Sequence, residues 1–310
     1  MKTILFTHSQ DIDGINCIIL GKEAFKNFDY IPVKTFDITN TVEEYYNSGK
    51  LYEYDLILIT DLCIKEPLLS IINKDLKIKN KIQVLDHHKT EIEEGNDKYS
   101  FVKIIVEEDG IKQSGTSLLY KFLIENKYLP PNPFLDEFVE LTRQYDTWDW
   151  KKTNNQKARN IHIIFETLGI DKYLGTIERL KNNFSFQFDE YCNNIITDYN
   201  KKLNNNIKET LNKIKIYSIN ISNISYKIGL VEIPYYLRND ISDYIKENKT
   251  YDIDLVILVI DDGDTVSYRS IKDNIDCSKV AEYFGGKGHK NAASSPKDNA
   301  KFIKFYSNIM

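Results

Sequence analysis

Three short apolar runs constrain this chain more than any other feature, because each ends in residue types that hold metal ions. Gln83-Val84-Leu85 climbs into Asp86-His87-His88, and Leu56-Ile57-Leu58-Ile59-Thr60 ends at Asp61. Ile4-Leu5-Phe6-Thr7 runs into His8, with Asp11 and Asp13 close behind. Apolar runs of this length predict β-strands. In an open parallel sheet, ligands gather beyond the carboxyl ends of the strands. That geometry brings His8, Asp11, Asp13, Asp61, His87 and His88 into one crevice.

The surrounding pattern supports such a sheet. Strands are predicted at Thr3–Thr7, Ile31–Phe36, Leu56–Thr60, Lys81–Leu85 and Phe101–Val106. Between them lie helix-like stretches at Ile15–Asn27, Val42–Ser48 and Pro67–Asn73. Strands alternating with helical crossovers read as βαβ units around a parallel sheet. From about Asn155 to Lys213 no strand is predicted. There Tyr191, Ile195, Tyr199, Leu203, Ile207 and Leu211 recur at four-residue steps as a helix stripe. Past Lys213, strands are predicted at Ile214–Ile221, Ser225–Val231, Leu255–Ile260 and Thr265–Ser270, with helices at Leu237–Lys246 and Cys277–Phe284.

A chain of 310 residues exceeds the usual single-domain size, so two domains are the default. The expected α/β organisation is an N-terminal parallel-sheet domain over 1–150 and a helical connector over 151–213. A smaller α/β substrate-binding domain follows over 214–310. The net charge of −5 argues against a protein coated for long duplex DNA. Cys17, Cys63, Cys192 and Cys277 form no C-x-x-C pair, which fits a reducing compartment better than a disulfide framework. No signal peptide or membrane span is predicted, so the expectation is a cytoplasmic protein with no membrane partner.

Taken singly, an Asp or His at a strand end is often a turn former or cap. The joint pattern is harder to explain that way, since three of the five histidines fall at predicted strand ends beside aspartates. Asp146, in Tyr145-Asp146-Thr147-Trp148, is a further candidate; it equally suits a helix C-terminal turn. If Asp11, Asp13, Asp61 and Asp146 converge, like-charge repulsion raises some of their pKa values, and two divalent cations would neutralise them. Mixed carboxylate and imidazole ligation suits Mn²⁺, with Mg²⁺, Co²⁺ or Zn²⁺ as alternatives. A pair of metals suits in-line displacement at phosphorus.

His8-Ser9-Gln10-Asp11-Ile12-Asp13-Gly14, then Asp61, Asp86-His87-His88 and Asp146, resembles the DHH phosphoesterase family. Arg269-Ser270 and the run from Ala281 through Gly285-Gly286-Lys287-Gly288-His289 to Ala293 resemble that family's companion glycine-rich C-terminal domain. The whole set is most similar to the nano-RNase B type, which degrades very short RNA. The resemblance implies that His8 and Asp11 bind one metal, that Asp13, His87 and Asp146 bind the other, and that Asp61 bridges. It implies that His88 faces the phosphate while Asp86 orients a histidine. The step from His8 to Asp11 departs from the family's spacing, and Lys287 and Ser294 stand where glycines are usual.

Arg269, Gly285, Gly286, Gly288 and His289 are the substrate-phosphate candidates. A glycine-rich turn before a helix permits close backbone approach to an anion, and it is also simply a turn. Ser114-Gly115-Thr116 opens a helix, where Ser114 and Thr116 either hold a phosphate or serve the helix, Ser114 as its cap.

The function expected is a two-metal phosphodiesterase degrading short oligoribonucleotides to mononucleotides. A cyclic- or linear-dinucleotide phosphodiesterase and a 3′-phosphoadenosine 5′-phosphate phosphatase are the alternatives. Outside catalysis, an inactive nucleotide-binding protein is the competing class. The expected partners are short RNA or DNA oligonucleotides or dinucleotides, with a homodimer left open.

Overall fold

The computed structural model describes residues 1–181 and 185–308. They divide into two compact units, Met1–Tyr199 and Asn200–Met310. Among the described residues no helix is long and apolar enough to cross a membrane.

The first unit is built on five parallel strands: β1 (Lys2–His8), β2 (Asn27–Val33), β3 (Leu56–Thr60), β4 (Ile82–Asp86) and β5 (Val102–Ile104), in the order β2-β1-β3-β4-β5. Around it lie α1 (Ile12–Ala24), α2 (Ile38–Asn47), α3 (Leu68–Lys74), α4 (Leu76–Lys79) and α5 (Lys89–Glu93). A small hairpin, β6 (Glu107–Glu108) and β7 (Ile111–Lys112), precedes α6 (Gly115–Glu125), α7 (Pro133–Asp146), α8 (Asp149–Thr153) and α9 (Gln156–Leu180). Successive strand residues point to opposite faces, and here both faces are covered. Leu5, Leu58 and Leu85 pack with Ile15 and Ile18 of α1, Leu119 of α6 and Phe138 of α7. Their neighbours Ile4, Phe6, Ile57, Ile59 and Val84 pack with Ile38 and Val42 of α2 and Leu68, Leu69 and Ile72 of α3. Double burial is why these strands read as continuous apolar runs.

Two local expectations shift. The second strand is Asn27–Val33 rather than Ile31–Phe36, because Phe28 and Tyr30 already pack on the α1 core. That leaves Phe36 in the following loop, 95% exposed. The stripe expected from Tyr191 to Leu211 also winds off its face along α10 (Glu190–Leu211). At 3.6 residues per turn each four-residue step overshoots by about 40°. Leu203, Ile207 and Leu211 are buried as expected, whereas Cys192 and Ile196 are buried in the first half and Tyr191 is exposed.

The second unit holds a six-stranded sheet in the order β12-β13-β11-β10-β9-β8. Its strands are β8 (Lys215–Ile221), β9 (Ile224–Ile233), β10 (Leu255–Ile260), β11 (Thr265–Ser270), β12 (Lys287–His289) and β13 (Ala292–Pro296). Only β9 and β10 pair in parallel. The helices are α11 (Arg238–Asn248), α12 (Cys277–Tyr283) and α13 (Ala300–Ser307). Ile257, Val259, Val266 and Tyr268 pack with Val280, Phe284 and Phe302 on one face. By strand alternation Thr265, Ser267 and Arg269 belong to the other face, and Asn239 of α11 meets Arg269 there.

Candidate metal centre and cationic pocket

The strand order places a topological switch point between β1 and β3, the place where open parallel sheets bind ligands. β1 ends at His8, β3 is followed by Asp61, and β4 ends at Asp86 beside His87 and His88. Asp61 adopts a left-handed backbone conformation at φ 57°. Aspartate tolerates this region better than most residues, and such strain clusters at functional sites. Gly115, at the start of α6, packs directly on this turn: a Cβ there would stand 2.5 Å from the Asp61 Cβ.

Five of the six strand-end candidates come together with Asp146 as two neighbouring triads, and the sixth, His88, falls in a further group with Asp61, Asp86 and His87. His8, Asp11 and Asp61 each offer a ligand atom within 4.8 Å of the others, and so do Asp13, His87 and Asp146. His8 Nδ1 lies 2.5 Å from Asp11 Oδ2 and 3.5 Å from Asp61 Oδ2. His87 Nε2 lies 3.2 Å from Asp61 Oδ1, 3.6 Å from Asp146 Oδ2 and 3.8 Å from Asp13 Oδ2. Ser9 and Gln10 form a bend between His8 and Asp11. Asp11 also caps α1, accepting from the Gly14 amide at 3.0 Å. Asp146 is both a helix C-terminal residue, the last of α7, and a member of the second triad.

Asp86 is buried and accepts from the His87 amide at 2.7 Å, with His88 Nδ1 also 2.7 Å away. Burial opposes its ionisation, but the contacts to His88 and His87 outweigh it and hold Asp86 below the usual carboxylate range. His88 is raised chiefly by its bond to Asp86, and its side chain stays half exposed.

Ser114 and Thr116 are fully buried and serve the protein, not a phosphate. Ser114 caps α6 in a capping box with Ser117. The free amides of that helix start are taken by Asp13: Gly115 N donates to Oδ2 at 2.5 Å and Thr116 N to Oδ1 at 2.9 Å. The positive end of a helix favours this carboxylate. No local pattern hints at this contact, which joins residues about a hundred positions apart. Nor did it disclose the buried chain of Thr142 Oγ1, the Asn16 amide and Tyr173 OH, which ties α7, α1 and α9 together at 2.7 and 2.8 Å.

The electrostatics show why this cluster suits a cation. Burial, and then the charge of Asp13, push Asp61 well above its ordinary value. The same two causes raise Asp146 to about 8. Burial alone would lower His8, yet its contacts with Asp11 and Asp61 raise it to about 10. The buried Asp61 Oδ2 has no hydrogen-bond partner among the described residues. Clustered carboxylates that resist ionisation, imidazoles at ligand distance and one orphaned carboxylate oxygen fit divalent cations.

In the second unit, Arg269 lines a concave site of about 330 Å³ together with Lys287, Gly288, Ser267 and Ser294. The glycine-rich run forms no turn before a helix. It follows α12, with Gly285 N closing on Glu282 O at 3.0 Å, and becomes a β-hairpin. A Cβ on Gly288 would meet Ala293 Cα at 2.3 Å, and one on Gly286 would meet the Ser294 carbonyl at 2.0 Å. These two glycines let strands β12 and β13 approach each other, which explains them without an anion. His289 is exposed on the same hairpin but lies outside the lining of the concave site. Tyr235 and Arg238, which no sequence motif singled out, do line it.

No family model matches the chain. Oligoribonuclease NrnB of Bacillus subtilis (strain 168) is 30% identical over 292 residues, covering 93% of this chain and 71% of that protein. The chain belongs to the DHH-type phosphoesterase family that includes NrnB. A pGpG-specific phosphodiesterase, PggH from Vibrio cholerae, shares the fold: TM-score 0.57, 12% identity, covering 99% of this chain and 97% of that one.

Proposed function

We propose that this protein is a metal-dependent phosphodiesterase that trims short oligoribonucleotides to mononucleotides. The carrying observation is the pair of triads that meet at Asp61, whose two oxygens face different histidines. The Bacillus relative, an oligoribonuclease, agrees with this reading.

In this reading His8 and Asp11 would hold one divalent cation, Asp13, His87 and Asp146 would hold a second, and Asp61 would contribute to both. Mn²⁺ suits the mixed carboxylate and imidazole set. Bound cations supply Lewis-acid neutralisation of the phosphodiester and its developing charge. The chain's own groups do the rest. The helix start of α6 fixes Asp13, and Asp86 holds His88 by Nδ1 in an orientation that leaves Nε2 for a phosphate oxygen. The bond to Asp86 raises His88 above its ordinary value, which favours the protonated imidazole that could hydrogen-bond that oxygen. Hydrolysis adds water across one P–O bond, and the released sugar oxygen takes up a proton.

The second unit, with its glycine-rich hairpin as the companion domain, supplies a further grip on substrate phosphate through Arg269. Phosphate recognition confined to such a site is compatible with a net charge of −5. The test is a Mn²⁺-supplemented digest of two- to ten-residue RNA and DNA, cyclic dinucleotides and 3′-phosphoadenosine 5′-phosphate. The reading requires mononucleotide release from the shortest RNAs at the highest rate. Faster turnover of either alternative substrate class would replace it.

A further inference from the structure

Two aromatic side chains that the core does not account for sit beside the metal centre of the first unit. Phe36 is 95% exposed, more than any other large apolar side chain described. Its backbone is nonetheless held. Lys34 to Asp37 form a turn closed by the Asp37 amide on the Lys34 carbonyl at 2.9 Å. Next to Phe36, the Thr35 hydroxyl lies 3.3 Å from His8 Nε2, while the other ring nitrogen of His8 faces Asp11 and Asp61. The Ser9 amide donates to the Val33 carbonyl at 3.0 Å, which ties the start of the turn to the same strand end. A phenylalanine left in water forgoes the gain of burying its ring, and this one adjoins a residue bonded to a candidate ligand.

Trp148, two residues past Asp146 of the other triad, is separate evidence. Helix α7 ends at Asp146 with Thr147 as its cap, so Trp148 is the residue after the cap, and its backbone is left-handed at φ 63°. Glycine is the usual occupant of that position, because it has no Cβ to clash there. A bulky residue in this conformation is an outlier. Trp148 is also 49% exposed, with Lys151 Nζ 4.7 Å from its ring centroid. Its neighbour Trp150 is the one that packs, stacked on Tyr145 against the α1 core. Strain of this kind clusters at functional sites.

Exposed aromatic rings are the surfaces on which proteins stack unpaired bases, and such stacking tolerates any sequence. One ring is anchored beside His8 of the first triad and the other beside Asp146 of the second. A phosphodiester bound at the cluster carries one nucleoside on each side. We propose that Phe36 and Trp148 are the base platforms of the metal centre, each stacking one of the two nucleosides that flank the scissile phosphate. The proposal rests on the phosphodiesterase reading for its ligand. It requires bases free to leave their own stack, which selects short single strands over a duplex.

The test is steady-state hydrolysis of the diribonucleotide ApA by the full chain with Mn²⁺, compared with two analogues that each lack one base. Phe36→Ala is expected to lower kcat/KM for ApA about five- to a hundredfold, the span for losing one stacked base. On the analogue lacking the base that Phe36 stacks, the same substitution is expected to make no difference. Trp148→Gly is expected to behave alike at the other base, and Phe36→Tyr, which keeps a ring, to lose far less than Phe36→Ala. Both ring deletions are expected to unfold in urea near the parent's midpoint, Phe36→Ala because the ring is already in water and Trp148→Gly because glycine relieves the left-handed backbone. An unchanged ApA rate in either variant, equal losses on all three substrates, or a Phe36→Tyr loss as deep as that of Phe36→Ala would each overturn the proposal. Tryptophan fluorescence titrated with ApA in EDTA separates the platforms from the chemistry. Quenching that Trp148→Gly abolishes, in a protein that cleaves nothing, retains the platforms and loses the phosphodiesterase. Cleavage that tolerates both substitutions does the reverse.

Discussion

Thr116 is bound to Asp13 twice, its amide donating to Oδ1 at 2.9 Å and its hydroxyl to the Asp13 carbonyl at 2.6 Å. One residue of α6 therefore fixes both the side chain and the backbone of a candidate ligand on α1. Neither end of this contact reaches solvent. A carboxylate held this way enters a metal site already oriented, and hydrogen-bonded ligands are the rule at such sites.

Thr116→Val tests that arrangement. The swap keeps the shape but leaves the buried Asp13 carbonyl short of a donor, a loss of about 1–3 kcal/mol in unfolding free energy. Urea denaturation reads it directly. Turnover is expected to fall too, because Asp13 loses part of its support. Unchanged stability would show that the hydroxyl contact contributes nothing.

His87 and His88 are neighbours with different work. His87 Nε2 faces three carboxylates, whereas His88 is tied to Asp86. His87→Ala is expected to lose bound metal and rate together. His88→Ala is expected to keep its metal and lose turnover, by about a hundredfold or more if one preorganised phosphate donor is removed. Equal depletion of metal in the two variants would end this division of labour.

Arg269→Ala is expected to raise KM for a dinucleotide while bound metal stays constant, since the Arg269 contacts all lie in the second unit. A charge-assisted phosphate contact is worth about 1.5–3 kcal/mol, so kcat/KM should fall about tenfold to a hundredfold. A fall in kcat with KM unchanged would place Arg269 in the chemistry instead.

How much of this was legible in the sequence differs between the two units. The strand-end candidates were readable because a parallel sheet collects the ends of its strands, whatever the helices do. His8, Asp61 and His87 therefore came together as expected. The helix start at Gly115 and Thr116 was readable as a helix start, but not as the seat of Asp13. Nothing local records a contact across a hundred residues. The glycine-rich run misled for a related reason: Gly286 and Gly288 make room for β13, a strand whose small residues Ala292 to Ser295 carry no alternating apolar signal. Tyr235 and Arg238 gave no signal because their pocket is assembled from separate segments around β10, β11 and the hairpin.

The role proposed for Asp61 is to join two metal sites that together drive phosphodiester hydrolysis. Its most direct test is the number of Mn²⁺ ions bound per chain, counted in the parent and in Asp61→Ala alongside hydrolysis of a diribonucleotide. The account predicts two ions and rapid cleavage in the parent, and a loss of both bound metal and detectable cleavage in the variant. An Asp61→Ala protein that keeps two ions and near-parent turnover would contradict it.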